Sequence, residues 1–282
     1  MPELPEVETV LSGLKPAMLN KEIVSLRYNR EDLRFALPLD LPSLLEGRVI
    51  TSMIRRGKYI LCFVESGHGF VLHLGMSGVI KVVEPDQDYK AEKHDHVVFK
   101  MKSGATIVFN DPRRFGFLKQ TSTSNWMNEE PFVKMGPEPL GNEFNEEFLR
   151  MALLSKKAPI KSVLLDQRIV AGLGNIYVCE ALFYSGVLPE RAAGDLKDDE
   201  ISLLYKSICT VLREAIQAGG SSLRDYRNTK GKMGYFQHHF AVYDREGFLC
   251  PQCHESDMND MLPIVRIVQS GRSSFYCPQC QQ

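Results

Sequence analysis

The chain has 282 residues, 44% of them hydrophobic and 24% charged, with a formal net charge of −1 and seven cysteines. That length exceeds one ordinary core and suits two domains, and the composition excludes fibrous and disordered classes. No apolar run approaches the ~20 residues of a membrane span and no secretory h-region opens the chain, so a cytoplasmic location is expected and any nucleic-acid surface must be local.

The opening stretch is MPELPEVE. Pro2 is small enough for the initiator Met1 to be removed, which would expose a secondary amine beside the Glu3 carboxylate. An α-amino group titrates near ~7.7–8.0, so a neutral nucleophilic fraction exists at cell pH and can form a Schiff base. The plainer reading is a helix start, where proline fits the first turn and acids fit the positive end. From Pro5, the positions Val7, Val10, Leu11 and Leu14 trace one helical face, with Pro16 near its end.

Eight short segments follow between residues 22 and 120: EIVSLRY, RVITSMIRR, KYILCFVE, GFVLHLG, VIKVV, HVVFKMK, ATIVFN and FGFLKQ. Their β-branched and aromatic content, broken by Gly, Pro, Asp and Ser, predicts an antiparallel sandwich or barrel. Three turn motifs carry polar groups beside glycine: RRGKYIL around Lys58, HLGMSG from His73 to Gly78, and NDPRRFG from Asn110 to Gly116. Each alone reads as a solvated turn. Together with KHDH at 93–96, which contains His94, they predict a binding face, because glycine lets backbone approach a ligand.

Residues 121–142 are polar and then proline-rich, with Pro131, Pro137 and Pro139 marking a boundary and Trp126 anchoring packing. The pattern then turns helical. NEEFLRMALLS starts near Asn142 or Asn145, and APIKSVLLDQ gives a second helix. A GLGN turn opens a third, with Asn175 at its N-terminus as an anion contact or an ordinary N-cap. A long helix over about 197–218 ends at Gly219 and Gly220. Residues 221–236 combine Arg224, Arg227, Lys230 and Lys232 with Tyr226 and Tyr235. They read as a loop closing over a substrate or as a solvated loop.

Cys62, Cys179 and Cys209 sit singly in apolar stretches and read as buried thiols. Cys250, Cys253, Cys277 and Cys280 form two CPQC pairs, which match one structural tetrahedral zinc ion. LPIVRIV and SSFY between them predict a short hairpin with Arg272 exposed near its tip. The expected division is 1–130, a linker at 131–141, then 142–240 and a zinc finger at 241–282.

Taken in order, MPELPEVET, RRGKYIL, HLGMSG, EKHDH, DPRRFG, MGPEPL, VAGLGNIYVCEALF, GGSSLRDY and CPQC…FYCPQC resemble the bacterial formamidopyrimidine-DNA glycosylase family over the whole chain. The resemblance implies an α+β fold: a β-sandwich flanked by the N-terminal helix, then a helix–two-turns–helix domain with a zinc-ribbon-like finger. It implies a monomeric, nucleoid-associated repair enzyme for double-stranded DNA. Such an enzyme excises oxidised purines, chiefly 8-oxoguanine and formamidopyrimidines, and cuts the abasic site by β,δ-elimination. Pro2 then matches the nucleophile, Glu3 the acid that protonates the sugar ring oxygen, and Glu6 a second acid. Lys58 matches a basic residue at the lesion and its phosphate. Met76, Arg113 and Phe115 match the trio that fills the gap left by the flipped base, where an apolar wedge restores stacking and an arginine serves the orphaned base. Asn175, Arg272 and Tyr243 match phosphate contacts, and His73, His94 and Lys156 complete the expected DNA contacts.

Three features depart from the family pattern. The twenty-three residues between the CxxC pairs are long for it, with HESDMND expected as an acidic solvent loop. LRDYRNTKGKMGYF lies where the family varies. The finger's basic residues are few: Arg245, Arg266 and Arg272. Two other readings stay open on the residues, an endonuclease VIII-type glycosylase for oxidised pyrimidines and a zinc-stabilised DNA-binding protein without chemistry. Leu4, where the former typically has Gly, and the PRRF trio favour the purine branch.

Overall fold

A computed structural model describes residues 2–222, 227–253 and 262–282. Parts of two expectations, the acidic loop HESDMND and Arg224 with Tyr226, lie outside the described residues, as does Met1. The chain divides into two compact units. The first comprises 1–133 and 216–237, the second 134–215 and 238–282. The expected division followed chain order. The units do not, because 216–237 cluster with the first.

In the first unit, α1 (Leu4–Met18) buries the predicted stripe of Val7, Val10, Leu11 and Leu14. The eight expected strands all form: β1 (Ile23–Tyr28), β2 (Ile50–Arg56), β3 (Tyr59–Val64), β4 (His68–His73), β5 (Val79–Val83), β6 (Asp95–Met101), β7 (Thr106–Asn110) and β8 (Phe117–Ser122). A short helix α2 (Leu41–Leu45) lies between β1 and β2. The strands make two antiparallel sheets of four, ordered β1-β6-β7-β5 and β2-β3-β4-β8.

Both sheets and α1 share one core. Ile23, Val97, Phe99, Ile107 and Phe109 come from one sheet, and Ile60, Cys62, Phe70, Leu72 and Leu118 from the other. Phe70 stacks on Phe99 across the two, with ring centroids 5.2 Å apart. This is the expected sandwich, closed by a helix. Such burial of branched and aromatic side chains is worth roughly 1.5–3 kcal/mol each, which holds the short strands in place.

The second unit holds α3 (Glu146–Leu153), α4 (Ile160–Leu164), α5 (Asn175–Tyr184) and most of α6 (Asp198–Gln217). Asn145 caps α3 by accepting the Phe148 N–H at 2.8 Å. α6 carries three acids in its first turn and is followed by Gly219 and Gly220, both at positive φ. The finger hairpin is β9 (Val265–Gln269) and β10 (Arg272–Tyr276), with Ser270 and Gly271 at the tip. Its Phe275, Ile264, Cys250 and Cys277 share a small core with Cys179 and Phe183 of α5. Among the described residues, no helix is long and apolar enough to cross a membrane.

Candidate functional site

The N-terminal end of α1 is buried, although chain ends usually fray. Pro2 is buried, Glu3 is 4% exposed and Glu6 is 1% exposed. Glu3 is the N-cap, and Glu3 with Glu6 closes a capping box built from two acids. Glu6 Oε2 accepts the Glu3 N–H at 2.8 Å. Its Oε1 accepts the Ser221 N–H at 2.7 Å and the Ser221 hydroxyl at 3.1 Å. One carboxylate therefore fixes the backbone beside Pro2 and the root of the 221–236 segment. Gly220 sits here because a side chain at its φ of +78° would strike Glu6.

Lys58 follows Gly57 in the tight turn between β2 and β3 and is 7% exposed. Arg55 spans from Glu8 of α1, at 2.6 Å, to the Gly57 carbonyl, at 3.0 Å. That bridge ties the Lys58 turn to α1.

Met76, Arg113 and Phe115 lie on two adjacent turns, residues 74–78 and 111–116, and all three are exposed. The Arg113 guanidinium lies over the Phe115 ring, 4.9 Å from its centroid. Arg114 between them adopts φ +58°, a left-handed conformation that sets the turn.

His73 packs between Tyr59 and Phe117, with ring centroids 4.8 and 5.2 Å away. Its Nδ1 accepts the Gly75 N–H at 3.1 Å. Burial, helped by the Lys58 and Arg34 cations and opposed by Asp111, pushes its pKa down to about 4. It is a neutral acceptor at neutral pH. His94 is half-buried, and its carbonyl accepts the Asp111 N–H at 3.0 Å.

In the second unit Asn175 is the first residue of α5. Gly174 is the N-cap, which excludes the plain reading of Asn175 as an ordinary cap. Asn175 Nδ2 donates to the Ser273 carbonyl at 2.9 Å, and its Oδ1 is buried without a hydrogen-bond partner among the described residues. Lys161 donates to the same carbonyl and to Ser274 Oγ, each at 2.7 Å. The start of β10, and with it the exposed Arg272, is therefore bolted to α4 and α5. Tyr243 is placed by Glu180, whose buried carboxylate accepts the N–H groups of Ala241, Val242 and Tyr243 at 2.8, 3.0 and 2.8 Å. Burial pushes the Glu180 carboxyl up against the pull of those donors.

Lys156, expected among these contacts, is exposed past the end of α3, and no bond joins its side chain to Asn175 or Arg272 among the described residues. The lysine that meets the Arg272 hairpin is Lys161. No local signal marked it, since in IKSVL Lys161 stands beside Ser162 as one of two polar positions.

The four Sγ atoms of Cys250, Cys253, Cys277 and Cys280 all lie within 4.8 Å of one another. Pairs stand at 3.2, 3.5 and 3.8 Å, far beyond a disulfide. Four sulfurs each ~2.3 Å from one tetrahedral ion would stand roughly 3.8 Å apart, so the donor set fits one structural zinc with no open position.

Three known domains match the chain in order. The formamidopyrimidine-DNA glycosylase N-terminal domain matches residues 1–118, the formamidopyrimidine-DNA glycosylase H2TH domain 135–227, and the zinc finger found in FPG and IleRS 263–282. Formamidopyrimidine-DNA glycosylases of Dinoroseobacter shibae and Rhodopseudomonas palustris are each 50% identical over the full length of both chains. The crystal structure of MutM (FPG) from Thermus thermophilus superposes with a TM-score of 0.86 at 37% identity, covering 99% of this chain and 98% of that one. Lactococcus lactis Fpg in complex with DNA containing an abasic site gives a TM-score of 0.88 at 34% identity, covering 99% of both chains.

Proposed function

Because the chain belongs to the formamidopyrimidine-DNA glycosylase family, we propose that it removes oxidised purines through a Schiff base on Pro2 and then cuts the strand by β,δ-elimination. The coarser activity is that of the family: a DNA glycosylase of base excision repair with a structural zinc finger. The observation that carries the finer reading is the buried pair of carboxylates at the start of α1, one locked to the Glu3 amide and to Ser221.

With Met1 removed, the neutral Pro2 amine attacks the sugar's anomeric carbon. The bond to the base breaks and the base leaves with a proton. Glu3 protonates the ring oxygen as the ring opens, and the nitrogen becomes an iminium. That electron sink acidifies the adjacent carbon. Loss of its proton expels the 3′ phosphate, and a second elimination expels the 5′ phosphate. Lys58, on its buried turn, serves the lesion and its phosphate, and Glu6 holds the backbone that presents the amine. Met76, Arg113 and Phe115 fill the vacated stack. Asn175, Arg272, Tyr243, His73, His94 and Lys156 serve as DNA contacts.

Borohydride trapping on abasic DNA, read with the intact mass of the same sample, tests this. The expected result is a mass lacking Met1 and a covalent adduct. A retained Met1 with full activity, or no adduct from protein with a free Pro2, would overturn it.

A further inference from the structure

We propose that Asp111 is the positioning residue of the wedge, its buried carboxylate holding in one frame the two turns that carry Met76, Arg113 and Phe115. This rests on the wedge reading given above. Both turns are crossovers between the sheets. β4 runs through residues 74–78 into β5, and β7 runs through 111–116 into β8. The pairings His73 with Phe117 and Val79 with Asn110 bring the two crossovers side by side at both ends.

Asp111 is 0% exposed and bonds across the gap between them. Its Oδ1 accepts the Ser77 hydroxyl at 2.6 Å and the Arg113 N–H at 3.3 Å, and its Oδ2 accepts the Gly116 N–H at 2.8 Å. Ser77 Oγ also accepts the Arg113 N–H, at 3.2 Å. Every wedge residue is thereby held at or next to its own backbone. Ser77 follows Met76, Arg113 is bonded directly, and Gly116 follows Phe115. The Asp111 backbone is itself pinned by the His94 carbonyl, at 3.0 Å, and by His96 Nε2, at 2.9 Å.

The side chains that must enter the duplex remain exposed, Met76 at 41% and Phe115 at 45%. A wedge on mobile turns would lose backbone freedom on insertion. A frame set beforehand lowers that cost and favours extrusion of the nucleotide. Asp111 touches no reacting atom, so its effect falls on extrusion and not on the covalent steps.

The test compares Asp111→Asn and Ser77→Ala with Met76→Ala and Phe115→Ala in the full-length zinc-loaded protein. One assay is stopped-flow fluorescence and base release on a duplex holding 8-oxoguanine beside 2-aminopurine. The other is borohydride trapping on a single-stranded abasic oligonucleotide, which has no stack to fill. Asp111→Asn is expected to slow extrusion and duplex base release about tenfold or more, to leave trapping within about twofold, and to add little in a Phe115→Ala background. Ser77→Ala, which removes one hydroxyl, gives the same pattern more weakly and carries the comparison if Asp111→Asn does not fold. Parallel losses in both assays, no loss in either, or full additivity with Phe115→Ala would overturn the proposal. If Met76→Ala and Phe115→Ala themselves spare the duplex reaction, the wedge reading has failed, and the role of Asp111 with it.

Discussion

Acidification from pH 7 to 4.5 should cost the first unit about 2 kcal/mol through His73 alone. The imidazole is buried against Tyr59 and Phe117, faces Lys58 and Arg34, and uses Nδ1 to accept the Gly75 N–H. A proton on Nδ1 would lose that bond and add a buried cation among cations. Its pKa therefore falls from 6.5 to about 4 on folding. A depression of that size corresponds to roughly 3 kcal/mol between protonation states when fully developed. The unfolded chain takes up the proton as the pH drops through 6.5, while the native chain resists until about 4. The stabilisation is present above the unfolded value and is lost as the pH falls through this window. Trp126 reports the event, being the only tryptophan and packed on Phe132, which packs on Tyr59 beside His73. Urea unfolding followed by its fluorescence should show wild type losing stability steeply between pH 6.5 and 4.5. His73→Gln, which keeps an acceptor but does not titrate, should lose about 2 kcal/mol less over that range. Equal slopes for the two proteins would refute the assignment.

Two further outcomes follow from the geometry. Gly75 has φ +66°, and a Cβ there would lie 2.3 Å from the Gly116 nitrogen, whereas Gly47 has φ +72° with open space around it. Gly47→Ala should cost about 1 kcal/mol, and Gly75→Ala about 3 kcal/mol or more with loss of duplex activity, both read by chemical denaturation. Metal analysis should find one zinc per chain. Chelation or Cys277→Ser should unfold the finger, since its small core runs through Cys250, Cys253 and Cys277. DNA affinity should then fall on damaged and undamaged duplexes alike. An unchanged melting curve after zinc removal would count against a structural ion.

The sheets were legible because alternating β-branched segments broken by glycine and proline leave little choice of element, and all eight strands formed where the pattern placed them. The zinc ligands were legible because thiolates two residues apart and paired twice have few other uses. What stayed hidden depends on register. Asp111 stood in plain view within NDPRRFG, yet only the pairing of Val79 with Asn110 turns its carboxylate toward Ser77. Glu180 is the one charged residue of α5, and only the fold brings the N–H groups of 241–243 to it. Lys156 and Lys161 were indistinguishable by composition, because whether a lysine is exposed or bonded to Ser273 is decided by a hairpin more than a hundred residues away. The return of 216–237 to the first unit likewise follows from the Glu6 to Ser221 bonds, which no local pattern announces.

The start of α1 was readable either as an ordinary helix cap or as a site of chemistry; the geometry shows the cap, and the proposed chemistry would use the same atoms. A cap needs only a small acceptor, commonly Ser or Asp in contact with water. Here two carboxylates are nearly excluded from solvent, at 4% and 1% exposure, and desolvating them is unfavourable. The bonds to the Glu3 amide and to Ser221 account for Glu6, and the proton transfer proposed above would account for a carboxyl rather than a hydroxyl at Glu3. Glu3→Ser separates the two roles. Serine three residues before Glu6 forms the common version of the capping box, so α1 should keep its start and the melting free energy should change by less than about 1 kcal/mol. Base release should nevertheless fall steeply, because a hydroxyl cannot deliver the proton at the pH where a carboxyl can. Wild-type base release from Glu3→Ser would leave Glu3 as a cap and nothing more. A large loss of stability would mean that the acid is needed to hold the helix, and the argument from burial would fail with it.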